Sequence, residues 1–180
     1  MLNSKRVFIR ASLPVFTAAM LPLPLLTATR TAFAHHGWSS FDDASPLYLE
    51  GTVKAVKWQN PHAELILDLA ASAGSSSSGL PGNLATNLSA RIPAQQANVD
   101  AAAIVSKTKT PNHRGAWEVE LAPLARMNAW QMVAPTVGSK IAVIGYSFAE
   151  QKPDSKGMHI LRAEFVFVGD KTYSIRSGPV

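Results

Sequence analysis

The chain has 180 residues, 47% of them hydrophobic, and a formal net charge of +5. This length and composition suit a small globular protein. The chain contains no cysteine, which excludes disulfides, thiol catalysis and a lipid anchor on cysteine. The basic residues form no clustered stripe, so the sequence gives no indication of nucleic-acid binding.

Residues 1–34 predict a cleaved secretory signal. Basic residues begin this segment, an apolar stretch follows over 11–26, and Ala32-Phe33-Ala34 has the small-x-small pattern that signal peptidase accepts. Three prolines interrupt the apolar stretch, which disfavours a membrane-spanning helix. We therefore expect a periplasmic protein that begins at His35 and keeps no membrane anchor. Cleavage would also remove four basic residues and leave the chain nearly neutral.

Alternation of apolar and polar residues predicts five strands after the signal. Their expected ranges are Leu47–Trp58, Ala63–Leu69, Trp117–Leu121, Lys140–Phe148 and Met158–Val168, followed by a short last stretch, Lys171–Arg176. We expect the fifth strand to have one apolar face and one polar face. The apolar face would hold Leu161, Ala163, Phe165 and Phe167, and the polar face Arg162 and Glu164.

Two segments between these strands favour helices. Pro123 can occupy a first helical turn, and Leu124, Met127 and Trp130 are spaced to share one face. Asp100–Lys107 also predicts a short helix with Asp100 as its cap.

Residues 70–116 predict a long insertion between the second and third strands. A glycine- and serine-rich run, 74–79, is typical of flexible sequence, and residues 80–96 have no clear periodicity. We expect this insertion to lie outside the main core and to be partly flexible.

The order of three strands, one short helix and two strands is that of the OB-fold, a small Greek-key barrel. The sequence therefore predicts a mainly β, OB-like barrel of five strands and one short helix, formed by residues 35–180 as a single domain. Another small barrel or sandwich remains an alternative, because a strand count does not fix topology.

Four short motifs occur in order along the chain. They are Ala34-His35-His36-Gly37-Trp38-Ser39, Glu50-Gly51-Thr52-Val53, Trp58-Gln59-Asn60-Pro61-His62-Ala63 and Trp117-Glu118-Val119-Glu120-Leu121. In these motifs the chain resembles a family of small exported proteobacterial proteins of unknown function, which have an Ala-His-His mature start and a Trp-x-Asn-Pro-His turn. The resemblance covers the mature chain except residues 70–116, and it implies no activity, substrate or cofactor.

The histidines are the strongest candidates for chemistry. A free N-terminal His35 would offer its α-amine and Nδ1 as a chelating pair, and one more imidazole would complete a three-nitrogen site suited to copper(II). His62, after the proline turn, is the first candidate for that third nitrogen, with His36 and His159 as alternatives. Histidines at a terminus or in a turn can equally have no role in metal binding.

The turn from Trp58 to His62 is a second candidate site. Trp58 could supply a stacking surface, with Asn60 and His62 as polar contacts to a ligand. In the alternative interpretation Trp58 packs on the barrel and Asn60 fixes the turn.

The acidic residues of the second and third strands do not predict catalysis. Glu64, Asp68, Glu118 and Glu120 occupy the polar positions of these strands, which is typical of a solvated sheet face. No catalytic triad, nucleotide-binding loop or zinc-protease motif is present in the sequence. We therefore expect a non-enzymatic binding module for a metal ion or small ligand. The alternative is an envelope protein that acts through protein interaction or as a structural module, without metal.

Overall fold

Antiparallel and parallel pairings close five strands into a barrel in the computed structural model, which describes residues 40–70, 79–80, 82–92 and 100–176. All of these residues lie in one compact unit, Ala34–Val180. The strands are β1 (Leu47–Lys57), β2 (Glu64–Leu69), β3 (Gly115–Glu120), β4 (Lys140–Ser147), β5 (His159–Val168) and β6 (Lys171–Ser174). The helices are α1 (Gly82–Arg91), α2 (Ala101–Lys107) and α3 (Leu124–Ala129), with a 3-10 turn at Ala149–Gln151.

The strand order confirms the predicted OB-like barrel. β1 pairs with β2 and β4, β2 pairs with β3, and β4 pairs with β5, all antiparallel. A parallel pairing of β3 with β5 closes the ring, and α3 connects β3 to β4. The strand β6 pairs with the last part of β5, Phe165 to Val168, beyond the residues of β5 that pair with β3, and extends the sheet beyond the predicted five strands. No helix among the described residues has the length and hydropathy of a membrane span.

Successive side chains of a β-strand point to opposite faces of the sheet, so every second residue of each barrel strand points into the interior and fills it. Fully buried members of this core include Leu49, Val53, Leu65, Leu67, Trp117, Val119, Val143 and Leu161. The helix α3 contributes the face expected from its spacing, because Met127 and Trp130 are buried in the same core and Leu124 packs against it. This core fixes which strand positions point outward, and the candidate site lies on that outer side.

The predicted faces of β5 are wrong beyond Ala163. The register with β4 shifts, so that Ala163 pairs with Gly145 and Phe165 with Ile144, which leaves Glu164 as an extra residue in a bulge. Gly145 permits this close approach, because a Cβ there would lie 2.3 Å from the carbonyl oxygen of Arg162.

One extra residue moves every later side chain of a strand to the opposite face. Leu161 and Ala163 point inward as expected, but so does Val166, whereas Phe165 and Phe167 belong to a separate outer cluster. The supposedly polar residues Arg162 and Glu164 are buried instead of solvated.

Two helices of the insertion cover this outer cluster. Asp100 caps α2 as predicted, since its carboxylate accepts a 2.9 Å hydrogen bond from the backbone N–H of Ala103. No helix was predicted where α1 lies, although Leu84, Leu88 and Ile92 recur every four residues and mark its apolar face. The outer cluster consists of Tyr48, Leu88, Ile92, Val105, Ala142, Ile144, Phe165 and Phe167. Residues 71–78, which include most of the predicted flexible run, lie outside the described residues.

Candidate functional site

Glu120, at the end of β3, is the centre of a polar network on the outer side of the barrel. One guanidinium nitrogen of Arg162, Nη2, donates to both of its carboxylate oxygens, at 3.1 and 3.0 Å. On its other side, Oε1 lies 3.2 Å from Nδ1 of His62. Glu120 and Arg162 are buried, while the side chain of His62 keeps 28% of its surface exposed. His62 is therefore the member of this network that a ligand in solvent can reach.

The parallel pairing of β3 with β5 creates the first of these contacts. Glu120 and Arg162 are register partners in that pairing. A buried charge requires a partner of opposite sign, and each of these residues supplies it for the other. The expectation that Glu120 lies on a solvated face is therefore wrong. Glu118, two residues earlier, is half-buried, and burial followed by the nearby Glu64 carboxylate raises its pKa.

The proline turn holds His62 in place. The Asn60–Pro61 peptide is cis. The side-chain oxygen of Asn60 accepts a 3.2 Å hydrogen bond from the backbone N–H of Leu124, and Ala63 exchanges backbone hydrogen bonds with Leu121 and Ala122. These bonds attach the turn to the start of α3 on both sides of His62. The backbone on both sides of His62 is therefore held in place.

Phe41 brings the N-terminal part of the chain to the same network. The centre of its ring lies 4.3 Å from the guanidinium carbon of Arg162 and 4.9 Å from the ring of Phe148. The next residue, Asp42, donates a 2.9 Å backbone hydrogen bond to Ser147 at the end of β4. Phe41 and Asp42 are therefore fixed beside Arg162 and the end of β4.

Glu120 contacts one specific nitrogen of the His62 ring, Nδ1. The Nδ1–Oε1 separation is an ion-pair distance, and its geometry is not that of a hydrogen bond. The contact is made at Nδ1, on the other edge of the imidazole ring from Nε2.

The structure places the predicted metal ligands as follows. His35 and His36 lie outside the described residues. Within the described ranges, no three His, Asp or Glu side chains are grouped as a metal site would require. His159, the weaker alternative, is not brought to His62. It stacks on His113 with ring centres 4.2 Å apart, and its Nδ1 lies 2.9 Å from the carbonyl oxygen of Gln151.

The other predicted ligand contacts have structural roles in the barrel. Trp58 is partly buried and packs against the interior core. Asn60 is exposed, but its side chain bonds to α3. Both positions agree with the alternative interpretation of this turn, and their role as ligand contacts stays a prediction.

Phe41 and Arg162 belong to this site although no sequence pattern predicts it. Nothing in the local pattern around either residue marks it, because the contact between them depends on where β4 and β5 lie. The signal that could have identified Arg162 is the barrel topology, in which β3 and β5 are neighbours and place acidic and basic residues side by side.

Comparison with known proteins identifies a family but not an activity. A family model described as "Family of unknown function (DUF6152)" matches residues 23–118, just over half of the chain. No curated protein and no solved structure matches the chain significantly. The expected resemblance to a family of unknown function is confirmed, while export and a proteobacterial source stay predictions. The chain belongs to this family of unknown function.

Proposed function

We propose that the protein is a non-enzymatic periplasmic binding module whose ligand is a copper(II)-type ion, held by His35 together with His62 or His36. The observation that carries the proposal is the position of Phe41. Its ring lies on Arg162, Arg162 binds Glu120, and Glu120 contacts His62. Phe41, five positions after His36, and the anchored His62 thus belong to one chain of contacts, each shorter than 4.5 Å.

Chain length allows the N-terminal histidines to reach His62. An extended chain spans at most about 3.6 Å per residue, so the five residue steps from His36 to Phe41 extend over at most roughly 18 Å. The fixed position of Phe41 therefore supports a site shared between the terminus and the turn.

The chemistry of the donors supports copper(II). With cleavage after Ala34, the α-amine and Nδ1 of His35 form one chelate ring, and the Nε2 of His62 supplies a third nitrogen. Three nitrogen donors suit the tetragonal geometry that copper(II) prefers. The Glu120 carboxylate beside Nδ1 of His62 would help to hold the orientation of that imidazole.

Calorimetric titration with copper(II) tests this proposal on the protein that begins at His35. One alanine added before His35 separates the α-amine from its imidazole and breaks the chelate ring, while His62→Ala removes the third nitrogen. We expect each change to weaken binding about tenfold or more. His113→Ala is the matched control. This exposed histidine lies just before the first residue of β3, whereas Glu120, which contacts His62, is the last residue of that strand. Metal ligands must be deprotonated, so affinity should also fall as the pH drops below about 6.5.

The outcomes separate the alternatives. If the extended protein binds as tightly as the wild type, the terminal chelate is wrong. If only His62→Ala has no effect, His36 is the partner of His35. If no protein binds copper(II) more tightly than an unstructured His-His peptide does, metal binding fails, and the module without metal, acting through envelope protein interactions, replaces it.

A further inference from the structure

An open cleft lies between the insertion and the barrel, away from the His62 network. Its volume is about 340 Å³. It is lined by Tyr48 and Glu50 of β1, Lys140 at the start of β4, Leu84 of α1 and Arg114 just before β3. The cleft exists because the insertion packs its helices on the barrel.

A second cleft of about 230 Å³ continues from the first. The two clefts share Tyr48, Glu50 and Lys140. The first cleft alone reaches the lower end of the range typical of small-molecule sites, which is roughly 300–1,000 Å³. The combined space fits a molecule of the size of an amino acid or a dipeptide.

Two cations facing the first cleft are not neutralised by the protein. Within the described parts of the chain, neither Arg114 nor Lys140 makes an ion pair or a side-chain hydrogen bond. Both cations line the cleft, so an anionic ligand there would supply them with a partner of opposite charge. A guanidinium is especially suited to a carboxylate, which it binds through two parallel hydrogen bonds.

Glu50 supplies a negative charge in the same cleft. The hydroxyl of Tyr48 donates a 2.8 Å hydrogen bond to its Oε2 and fixes the carboxylate. Burial, followed by this contact with Glu50, raises the pKa of Tyr48, so the hydroxyl stays protonated and remains a donor. The second acid of the cleft, Asp68, is already paired with Lys54 at 3.2 Å. Glu50 is therefore the acid that remains for a cationic group of a ligand.

We propose that this cleft binds a small zwitterion of the amino-acid class. Its carboxylate lies against Arg114 and Lys140, its ammonium group lies against Glu50, and an apolar side chain packs on Leu84 and the Tyr48 ring. The site shares no residue with the His62 network, so it is independent of the proposed copper site.

An NMR titration of the intact protein with three matched probes tests this proposal. L-leucine carries both charges, N-acetyl-L-leucine keeps only the carboxylate, and L-leucinamide keeps only the ammonium group. We expect L-leucine to bind and each blocked compound to bind at least about tenfold more weakly. Resonances of Tyr48, Glu50 and Leu84 should shift on binding, while those of His62 should not.

Variants then assign each charge to its side chain. Arg114→Gln should weaken L-leucine binding about tenfold and remove the preference for L-leucine over L-leucinamide, and Glu50→Gln should remove the preference over N-acetyl-L-leucine. Lys107→Gln is the matched control, because this exposed lysine ends α2 and does not line the clefts. The proposal is overturned if L-leucine causes no saturable shifts up to about 10 mM. It is also overturned if either blocked compound binds the wild-type protein as tightly as L-leucine does. This outcome does not depend on whether the variants fold.

Discussion

The side chain of Asn60, in the turn after β1, accepts a 3.2 Å hydrogen bond from the backbone N–H of Leu124, the first residue of α3. The first N–H groups of a helix have no partner within the helix. Pro123 precedes α3 and provides no side-chain cap, so Asn60 takes the role of a cap from a distant part of the chain. One hydrogen bond thus positions both the helix and the turn that carries His62.

We expect Asn60→Ala to lower the free energy of unfolding by about 1 kcal/mol, because the N–H of Leu124 loses its acceptor. Urea unfolding followed by circular dichroism measures this change. Asn128→Ala is the control, since Asn128 is exposed on the same helix, and its stability should be unchanged or slightly higher. Equal stability of the Asn60 variant and the wild type would show that solvent satisfies this N–H.

The helix α1 should contribute substantially to stability. Leu88 is only 2% exposed and lies in the outer cluster with Phe165 and Phe167. Leu88→Ala should therefore cost about 2–4 kcal/mol, the usual range for a buried leucine. The exposed neighbour Ser89→Ala is the control, and urea unfolding compares the two. A cost below about 0.5 kcal/mol would mean that α1 does not pack on the barrel in solution.

Stability should decrease as the pH rises through the titration of Glu164. Burial raises the pKa of this carboxyl, and the nearby Arg176, at 3.1 Å, lowers it by less. The folded protein therefore holds a proton that the unfolded chain has already lost. The stability that protonated Glu164 contributes is fully present below the ordinary pKa of glutamate, about 4.3. It is lost as the pH rises through the raised pKa of Glu164 in the folded protein.

Glu164→Gln should flatten that part of the pH dependence. Free energies of unfolding measured in urea between about pH 4 and pH 8 test this expectation. Asp170→Asn, in the exposed turn between β5 and β6, should keep the wild-type slope. An unchanged slope in the Glu164 variant would assign the pH dependence to other groups, such as Glu118, whose pKa burial also raises.

Anchoring by Phe41 should contribute to copper binding without any direct contact with the metal. Phe41→Ala removes the ring from Arg162 and lets the terminal histidines explore a larger volume, which lowers their effective concentration at His62. We expect about tenfold weaker binding in the copper(II) titration. Phe41→Tyr retains the ring over Arg162 and should bind as the wild type does. Identical affinities for all three proteins would contradict a site shared between the terminus and the turn.

Processing is the simplest of these tests. The Ala32-Phe33-Ala34 pattern predicts that the exported protein begins at His35. Intact-mass measurement of protein from the periplasm determines its first residue directly. A chain that retains residues 1–34 would contradict the predicted cleavage and would also remove the free amine that the copper site requires.

Local patterns determined most of the strands in this protein. Each barrel strand begins and ends within two residues of its predicted limits, because alternation of apolar and polar side chains records which face is buried. The face of α3 and the Asp100 cap were also determined locally, since both depend on residues within one or two helical turns.

Contacts between distant residues were decided only by the tertiary structure. The bulge at Glu164 depends on a glycine in the neighbouring strand, and no period within β5 indicates it. Glu120 and Arg162 were expected in solvent, but the parallel pairing that closes the barrel buries them together beside His62. A sequence pattern reports which side of its own strand a residue occupies, whereas burial of a charge depends on what the neighbouring strand places against it.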